Sequence, residues 1–172
     1  NATKQNLGTI SISGGATTPT ITVGSNITAD SISIASSHTF SPGGNTITLA
    51  TNGTPFTVTG TFTDGTSTMV FTGGAATTIP ATTYYDLKIQ PGTNSVTHTL
   101  GAGTTIVERD VTFGNGTNTG IVIAGNTNNT TLSVTRNLTI ATSTTFQANA
   151  SNELALGGNW TNNGTFTHNS NT

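Results

Sequence analysis

Apolar and polar residues alternate along much of this chain, and the alternation is clearest in its second half. After residue 110, two apolar residues repeatedly flank a single intervening residue, and turn-rich stretches such as GNGTNTG and GNTNNTT separate the pairs. The pairs in this interval are Val111 with Phe113, Ile121 with Ile123, and Leu132 with Val134. Alternation with a period of two is typical of β-strands that bury one face. The pattern therefore predicts an all-β protein with three short strands in each interval.

A recurring tetrad, in which Asn or Asp precedes an apolar residue, any residue and a second apolar residue, sets the length of that interval. Its copies begin at Asp86, Asp110 and Asn137, and Asn159 begins a fourth, so the intervals are 24, 27 and 22 residues. Repeats of this length usually mean stacked structural units. We therefore expect a parallel β-solenoid, a right-handed β-helix of about 22–27 residues per coil. A β-sandwich completed by a donated strand is the alternative fold.

The first residue of the tetrad has a structural role in either of two interpretations. Stacked coils place Asp86, Asp110, Asn137 and Asn159 above one another, at the spacing of neighbouring strands. Side-chain amides at that spacing form hydrogen-bonded ladders. Alternatively, Asn and Asp simply mark the turns that precede the strands. Neither interpretation requires catalytic chemistry.

We expect residues 1–172 to form a single all-β domain. Residues 61–172 form the regular coils, whereas residues 1–60 contain less regular strands and a candidate assembly segment. The phrase FTVTGTFT, beginning at Phe56, returns as WTNNGTFT, beginning at Trp160, with five identical positions. The return of this phrase relates the two parts of the chain.

The composition favours a sheet protein of the cell exterior. Charged residues are 6% of the chain, and threonine, which suits pleated strands, is about a quarter. No window shows helical periodicity, and the chain contains no cysteine and no long apolar run. A net charge of −2 offers nothing to a phosphate backbone. We therefore expect neither nucleic-acid binding nor membrane insertion, and the start at Asn1 fits removal of a signal peptide.

Three segments, YYDLKI, RNLTIATSTTF and LALGGNWTNNGTF, resemble repeats of secreted bacterial adhesin-like surface proteins. The resemblance covers roughly residues 60–172. It implies an extracellular, cell-surface β-helical stalk or adhesive surface and supplies no catalytic residues.

The residues that enzymes use are sparse, and we expect no enzymatic activity, no cofactor and no metal. The densest charged cluster is Glu108-Arg109-Asp110, which we interpret as a solvated coil corner that Lys88 approaches from the preceding coil. The histidines, His38, His98 and His168, have no Cys or acidic neighbour at ligand spacing, and we expect them to point outward from their strands.

Two further sequence patterns suggest N-glycosylation and an array of threonine hydroxyls. Asn52, Asn115 and Asn128 are candidate N-glycosylation acceptors, because each begins an Asn-x-Ser/Thr sequon in a predicted turn. Thr-x-Thr triplets begin at Thr20, Thr46, Thr57, Thr61, Thr97 and Thr165. They suggest ice binding as a third function, but their spacing is too irregular for all of them to stack.

The main functional expectation is a structural subunit of an extracellular filament or surface appendage. The terminal strands contain no charge or proline to protect their edges, which favours head-to-tail pairing into a homopolymer. The candidate assembly residues are Thr9, Ile10, Ser11, Ile12, Ser13, Trp160, Thr165, Phe166 and Thr167. The alternative is a carbohydrate-binding adhesin stalk that contacts surface glycans through Tyr84, Tyr85 or Trp160.

Overall fold

The computed structural model describes residues 5–15, 17–151 and 153–168. Over these residues it contains twenty-two strands and no helix, and every strand pair is parallel. The chain forms a β-solenoid of about seven turns with about 22 residues per turn. The predicted solenoid is therefore confirmed.

Each turn contributes one strand to each of three sides. Side 1 is a single seven-stranded sheet: β3 (Ile27–Ala29), β6 (Thr46–Leu49), β9 (Thr68–Phe71), β12 (Asp86–Ile89), β15 (Asp110–Phe113), β18 (Asn137–Ile140) and β21 (Trp160–Asn162). Leu87 pairs in register with Val111, and Val111 with Leu138, so the tetrads of the sequence do lie over one another.

Sides 2 and 3 each consist of two consecutive sheets. Side 2 contains β1 (Thr9–Ile12), β4 (Ser31–Ile34) and β7 (Phe56–Val58), then β10 (Thr77–Ile79), β13 (Thr97–Leu100), β16 (Ile121–Ala124), β19 (Thr144–Gln147) and β22 (Thr165–Thr167). Side 3 contains β2 (Thr20–Thr22), β5 (Thr39–Ser41) and β8 (Thr61–Phe62), then β11 (Thr83–Tyr84), β14 (Gly103–Val107), β17 (Thr130–Val134) and β20 (Leu154–Leu156). An isolated bridge between Gly53 and Thr77 joins the two sheets of side 2.

The core is the space enclosed by the three sides, and alternation along each strand fills it. In β4, β6, β15 and β18 the second and fourth residues are buried while the first and third are partly exposed. Aromatic rings pack against one another from coil to coil, for example Phe113 against Phe146, whose planes are tilted by 48° and whose centroids lie 4.7 Å apart. Each fully buried apolar side chain contributes about 1.5–3 kcal/mol, so the core is the main source of stability in a chain that has no cysteine.

The repeated phrase of the sequence forms the same kind of corner at two places, once between sides 2 and 3 and once between sides 1 and 2. Gly60 lies between β7 and β8, and Gly164 lies between β21 and β22, each pressed against the coil before it. A Cβ on Gly60 would lie 2.2 Å from the carbonyl oxygen of Ala35, and one on Gly164 would lie 2.2 Å from that of Thr144. Glycine is required at these corners because any side chain would overlap the neighbouring backbone.

Candidate functional site

A column of polar residues runs along the outer face of side 1 and includes all four residues of the predicted ladder. Register pairs place Asp86 beside Thr68, and Asp110 beside Asn137. The full column is Asn26, Thr46, Thr68, Asp86, Asp110, Asn137 and Asn159. The sequence analysis missed the first three. Thr46 and Thr68 are not Asn or Asp, and Asn26 lies only 20 residues before Thr46, a shorter interval than those between the tetrads.

The column is held together by bonds from side chain to backbone. An oxygen of Asp86 accepts the backbone N–H of Asp110 at 3.1 Å, and Oδ1 of Asp110 accepts the backbone N–H of Asn137 at 3.2 Å. Oδ1 of Asn137 likewise accepts the N–H of Asn159 at 3.1 Å. Two bonds join side chains: Nδ2 of Asn137 donates to Oδ1 of Asp110 at 2.7 Å, and the hydroxyl of Thr68 donates to Asp86 at 3.4 Å. We define this column as the rung ladder, and it differs from the amide-to-amide ladder of the sequence interpretation.

A charged network surrounds the two acidic rungs. The guanidinium of Arg109 binds Asp86 through two nitrogens, with Nε 2.8 Å from Oδ1, and the Asp86 side chain is only 5% exposed. That hydrogen bond raises the pKa of Arg109 above its usual value. Arg109 also lies over the Tyr85 ring, 5.0 Å from its centroid. Arg109 therefore makes an ion pair between coils at this corner, which the sequence interpretation did not predict. Lys88, which was expected to approach the corner, lines the same groove but forms no ion pair with a described residue.

Two histidines that the sequence analysis placed outside are buried, so that prediction is wrong for them. His98 on β13 is fully buried between Thr77 and Ile123, and neither ring nitrogen has a partner within the described residues. Burial lowers its pKa to about 4. His98 faces inward because it lies two residues before Leu100 and therefore shares its face of the strand. The sequence analysis placed it outside because histidine is polar.

His38 is the second buried histidine and holds a corner of the first coils. Its two ring nitrogens lie 2.9 Å from the carbonyl oxygen of Ser36 and 2.8 Å from that of Gly14. These hydrogen bonds raise the pKa of His38, because two acceptors favour a ring that donates from both nitrogens. His168 is exposed, as predicted.

The first end of the solenoid exposes apolar side chains. β1 and β2 are edge strands, and Leu7 and Ile21 are 57% and 42% exposed. A hollow of about 220 Å³ opens there between Ile10, Pro19 and Ile21. β1 pairs with β4 of its own chain, so its second edge is the one that faces away from the stack.

The other end exposes an aromatic surface. Trp160 is in register with the core residue Leu138 but is 39% exposed, because its column ends there within the described residues. Its ring packs edge-on against Phe166 with centroids 4.7 Å apart. Leu154 and Leu156 of β20 are partly buried beside them. We call the two regions the first end surface (Leu7, β1, β2) and the last end surface (β20, β21, β22).

The candidate assembly residues lie on both end surfaces. Within each strand, alternate residues face the core and the outside. Ile10 and Ile12 of β1 face the core, whereas Thr9, Ser11 and Ser13 are exposed. On the last end surface, Phe166 joins the core cluster, whereas Thr165 and Thr167 flank it on β22. The structure thus brings them together as two sets at opposite ends of the stack.

No family model, curated protein or solved structure matches this chain. The described residues contain no helix that is long and apolar enough to cross a membrane. Residues 5–15, 17–151 and 153–168 also contain no group of three or more metal-ligating side chains.

The aromatic residues considered for sugar binding have different environments. Tyr84 is fully buried, and its hydroxyl donates to the carbonyl oxygen of Pro80 at 2.8 Å. Tyr84 therefore cannot contact a glycan. Tyr85 is half-buried beneath Arg109, and Trp160 belongs to the last end surface.

The Thr-x-Thr triplets are distributed over all three sides of the solenoid. The triplets that begin at Thr20 and Thr61 share side 3, and Thr39 pairs in register with both. Three coils therefore align threonine and serine hydroxyls there. The triplet that begins at Thr46 lies on side 1, and those that begin at Thr57, Thr97 and Thr165 lie on side 2.

The three candidate glycosylation sites lie in turns, and their side chains make local hydrogen bonds. Oδ1 of Asn52 accepts the N–H of Ala75 at 2.8 Å. Nδ2 of Asn115 donates to the carbonyl oxygen of Pro91 at 3.3 Å, and Nδ2 of Asn128 donates to that of Leu100 at 3.1 Å. A glycan on Asn115 or Asn128 would therefore compete with a bond between coils.

Proposed function

We propose that this chain is a structural module of an extracellular filament or surface appendage, in which copies stack head to tail. The main support for the proposal is that the exposed apolar side chains are concentrated at the two ends of the solenoid. The structure has four exposed large apolar side chains among its described residues: Leu7, Ile21, Ile106 and Trp160. Three of the four lie on the two end surfaces. Exposed apolar surface concentrated in this way marks interaction sites.

The two end surfaces are complementary in layout because each presents all three sides of the solenoid. β21, β22 and β20 close one end on sides 1, 2 and 3. The segment around Asn6, which bridges to β3, together with β1 and β2, closes the other end on the same three sides. A second copy placed on the first continues every sheet in the parallel sense, by strand addition.

The end strands also lack the charges and prolines that commonly prevent such pairing. Charges, prolines and bulges normally protect edge strands. β1, β2, β21 and β22 read TISI, TIT, WTN and TFT, and contain neither a charged residue nor a proline. A contact between unlike surfaces that repeats along the solenoid axis does not close into a ring, so it produces a fibre. The extracellular location is part of the proposal and rests on the adhesin-like resemblance.

Two blocked variants test the proposal. Leu7→Lys with Ile21→Lys charges the first end surface, and Trp160→Lys charges the last. These side chains are exposed, so the substitutions should leave the fold intact. We expect the native chain to form fibres in negative-stain microscopy and each variant alone to stay monomeric. An equimolar mixture should form a dimer, because each variant retains one intact surface.

Ile106→Lys is the matched control, since Ile106 is also exposed, at 38%, but lies on side 3 in the middle of the stack. Its fibres should be unchanged. A native chain that remains monomeric at high concentration would overturn the proposal, as would a mixture with no dimer. Deleting residues 1–13 is a weaker test, because it removes β1 and uncovers β4, whose sequence SISI offers a similar edge.

A further inference from the structure

A polar groove of about 360 Å³ crosses the outer face of side 1 and has no role in the stacking of copies. It extends from β9 to β18, so it spans four coils, or about 14 Å at the usual strand spacing. The side chains used below are the acidic rungs Asp86 and Asp110, with Lys88, Arg109, Thr112 and Asn137.

Charge is concentrated at this groove in a chain that otherwise nearly lacks it. The sequence has four Lys and Arg residues and six Asp and Glu residues. Four of these ten line the groove, and Arg136 contacts Asp110 at its edge. Such clustering is unlike the scattered charges that merely keep a surface soluble.

The rung ladder itself does not require the charges. Oδ1 of Asn26 accepts the backbone N–H of Thr46 at 2.8 Å, and Oδ1 of Asn137 does the same for Asn159. A neutral amide thus makes the same bond between coils. Burying the carboxylate of Asp86 carries a desolvation cost that an amide would avoid. The acidic rungs occur at the two middle coils of the four that the groove spans, which indicates a role beyond stacking.

The groove combines fixed and available charges. Arg109 and Asp86 neutralise each other and hold the wall in place. Lys88 is exposed on the outward face of β12 and forms no ion pair with any described residue. Arg136 is 58% exposed, and its Nε lies 4.0 Å from Asp110. Two cationic side chains are therefore accessible beside the carboxylate of Asp110 and the hydroxyl of Thr112.

We propose that this groove binds a short, linear acidic saccharide that lies along the solenoid axis. The ligand's carboxylates pair with Lys88 and Arg136, because charge-assisted hydrogen bonds to carboxylates are strong. Its hydroxyls donate to Asp110 and exchange hydrogen bonds with Asn137 and Thr112. Polyphosphate chains fit less well because they have no hydroxyl to donate to Asp110, which then only repels them. The polar walls also lack the apolar pockets by which peptides are recognised.

Titration of the whole chain with trigalacturonate, followed by calorimetry and backbone amide NMR, tests this proposal. The fully methyl-esterified trisaccharide is the matched neutral ligand, and tripolyphosphate is the anion control. We expect trigalacturonate to bind with shifts at Lys88, Thr112 and Asn137, and the ester and tripolyphosphate to bind at least about tenfold more weakly.

Variants locate the contact. Lys88→Gln should weaken trigalacturonate binding about tenfold, as for loss of one charge-assisted bond, and Lys88→Arg should retain it. Glu153→Gln, a charge removed on side 3, should leave it unchanged. The proposal is overturned if trigalacturonate does not bind, if the ester or tripolyphosphate binds as well, or if Lys88→Gln has no effect.

Discussion

His98 gives the solenoid a defined weakness in acid, and His98→Leu should remove it. The imidazole is fully buried on β13 and has no partner for either nitrogen within the described residues. Its pKa is lowered from 6.5 to about 4 because burial disfavours the charged ring. The unfolded chain, in contrast, binds a proton near pH 6.5. The native state must therefore exclude a proton that the unfolded state accepts.

The sign and size of the effect follow from that difference. Stability from this site is fully present above pH 6.5 and decreases as the pH falls from 6.5 to about 4. The loss over that interval amounts to about 3 kcal/mol. His98→Leu should remove this loss. It should also stabilise the protein at pH 7 by about 1–2 kcal/mol, because two unsatisfied buried nitrogens are replaced by apolar surface.

Urea unfolding of the native chain and of His98→Leu at several pH values between 7.5 and 4 measures the difference. Comparing the two removes the contribution of the carboxylates, which both proteins share. His168→Leu is the matched control, since His168 is exposed, and it should show the native pH dependence. Parallel curves for the native chain and His98→Leu would refute the reasoning, as would an NMR titration that places the His98 pKa near 6.5.

Two further predictions concern contacts between coils. Asp110→Asn should unfold near the native urea midpoint because it keeps the oxygen that accepts the N–H of Asn137, whereas Asp110→Ala should lose about 1–2 kcal/mol; equal midpoints for the two variants would contradict the rung ladder. Gly60→Ala should lower the free energy of unfolding by about 2–4 kcal/mol, because its Cβ would lie 2.2 Å from a backbone oxygen. Gly24→Ala, where nothing lies within 4 Å, should change thermal stability by less than about 0.5 kcal/mol, and a similar loss in both variants would refute the close-approach argument.

The coil period was predictable because it depends on apolar pairs, whose parity decides which residues face the core. Leu87, Val111 and Leu138 are in register because a shift by one residue would expose every one of them. The earlier coils were harder to place. Along side 1, Met69 and Leu87 are in register only 18 residues apart, and no Asn or Asp precedes Met69 to mark the repeat.

The orientation of a side chain was predictable only where its position in the strand and its polarity both indicate the same face. His98 is the clearest failure, because its polar identity suggested an outward side chain while its parity required an inward one. The pairing of Arg109 with Asp86 depends on how two coils overlap at a corner, which no spacing in the sequence specifies. The groove on side 1 arises from the same overlap, since its walls come from four separate coils.

The rung ladder gives the stack a polarity. From Asp86 to Asn159, each acceptor oxygen belongs to the earlier coil and each donor N–H to the later one. A coil added beyond Asn159 continues this order if its chain runs in the same sense, since it then brings an N–H to that side chain. Two stacks joined by their last coils would bring no such backbone N–H to Asn159, so the ladder extends only between coils that run in the same sense.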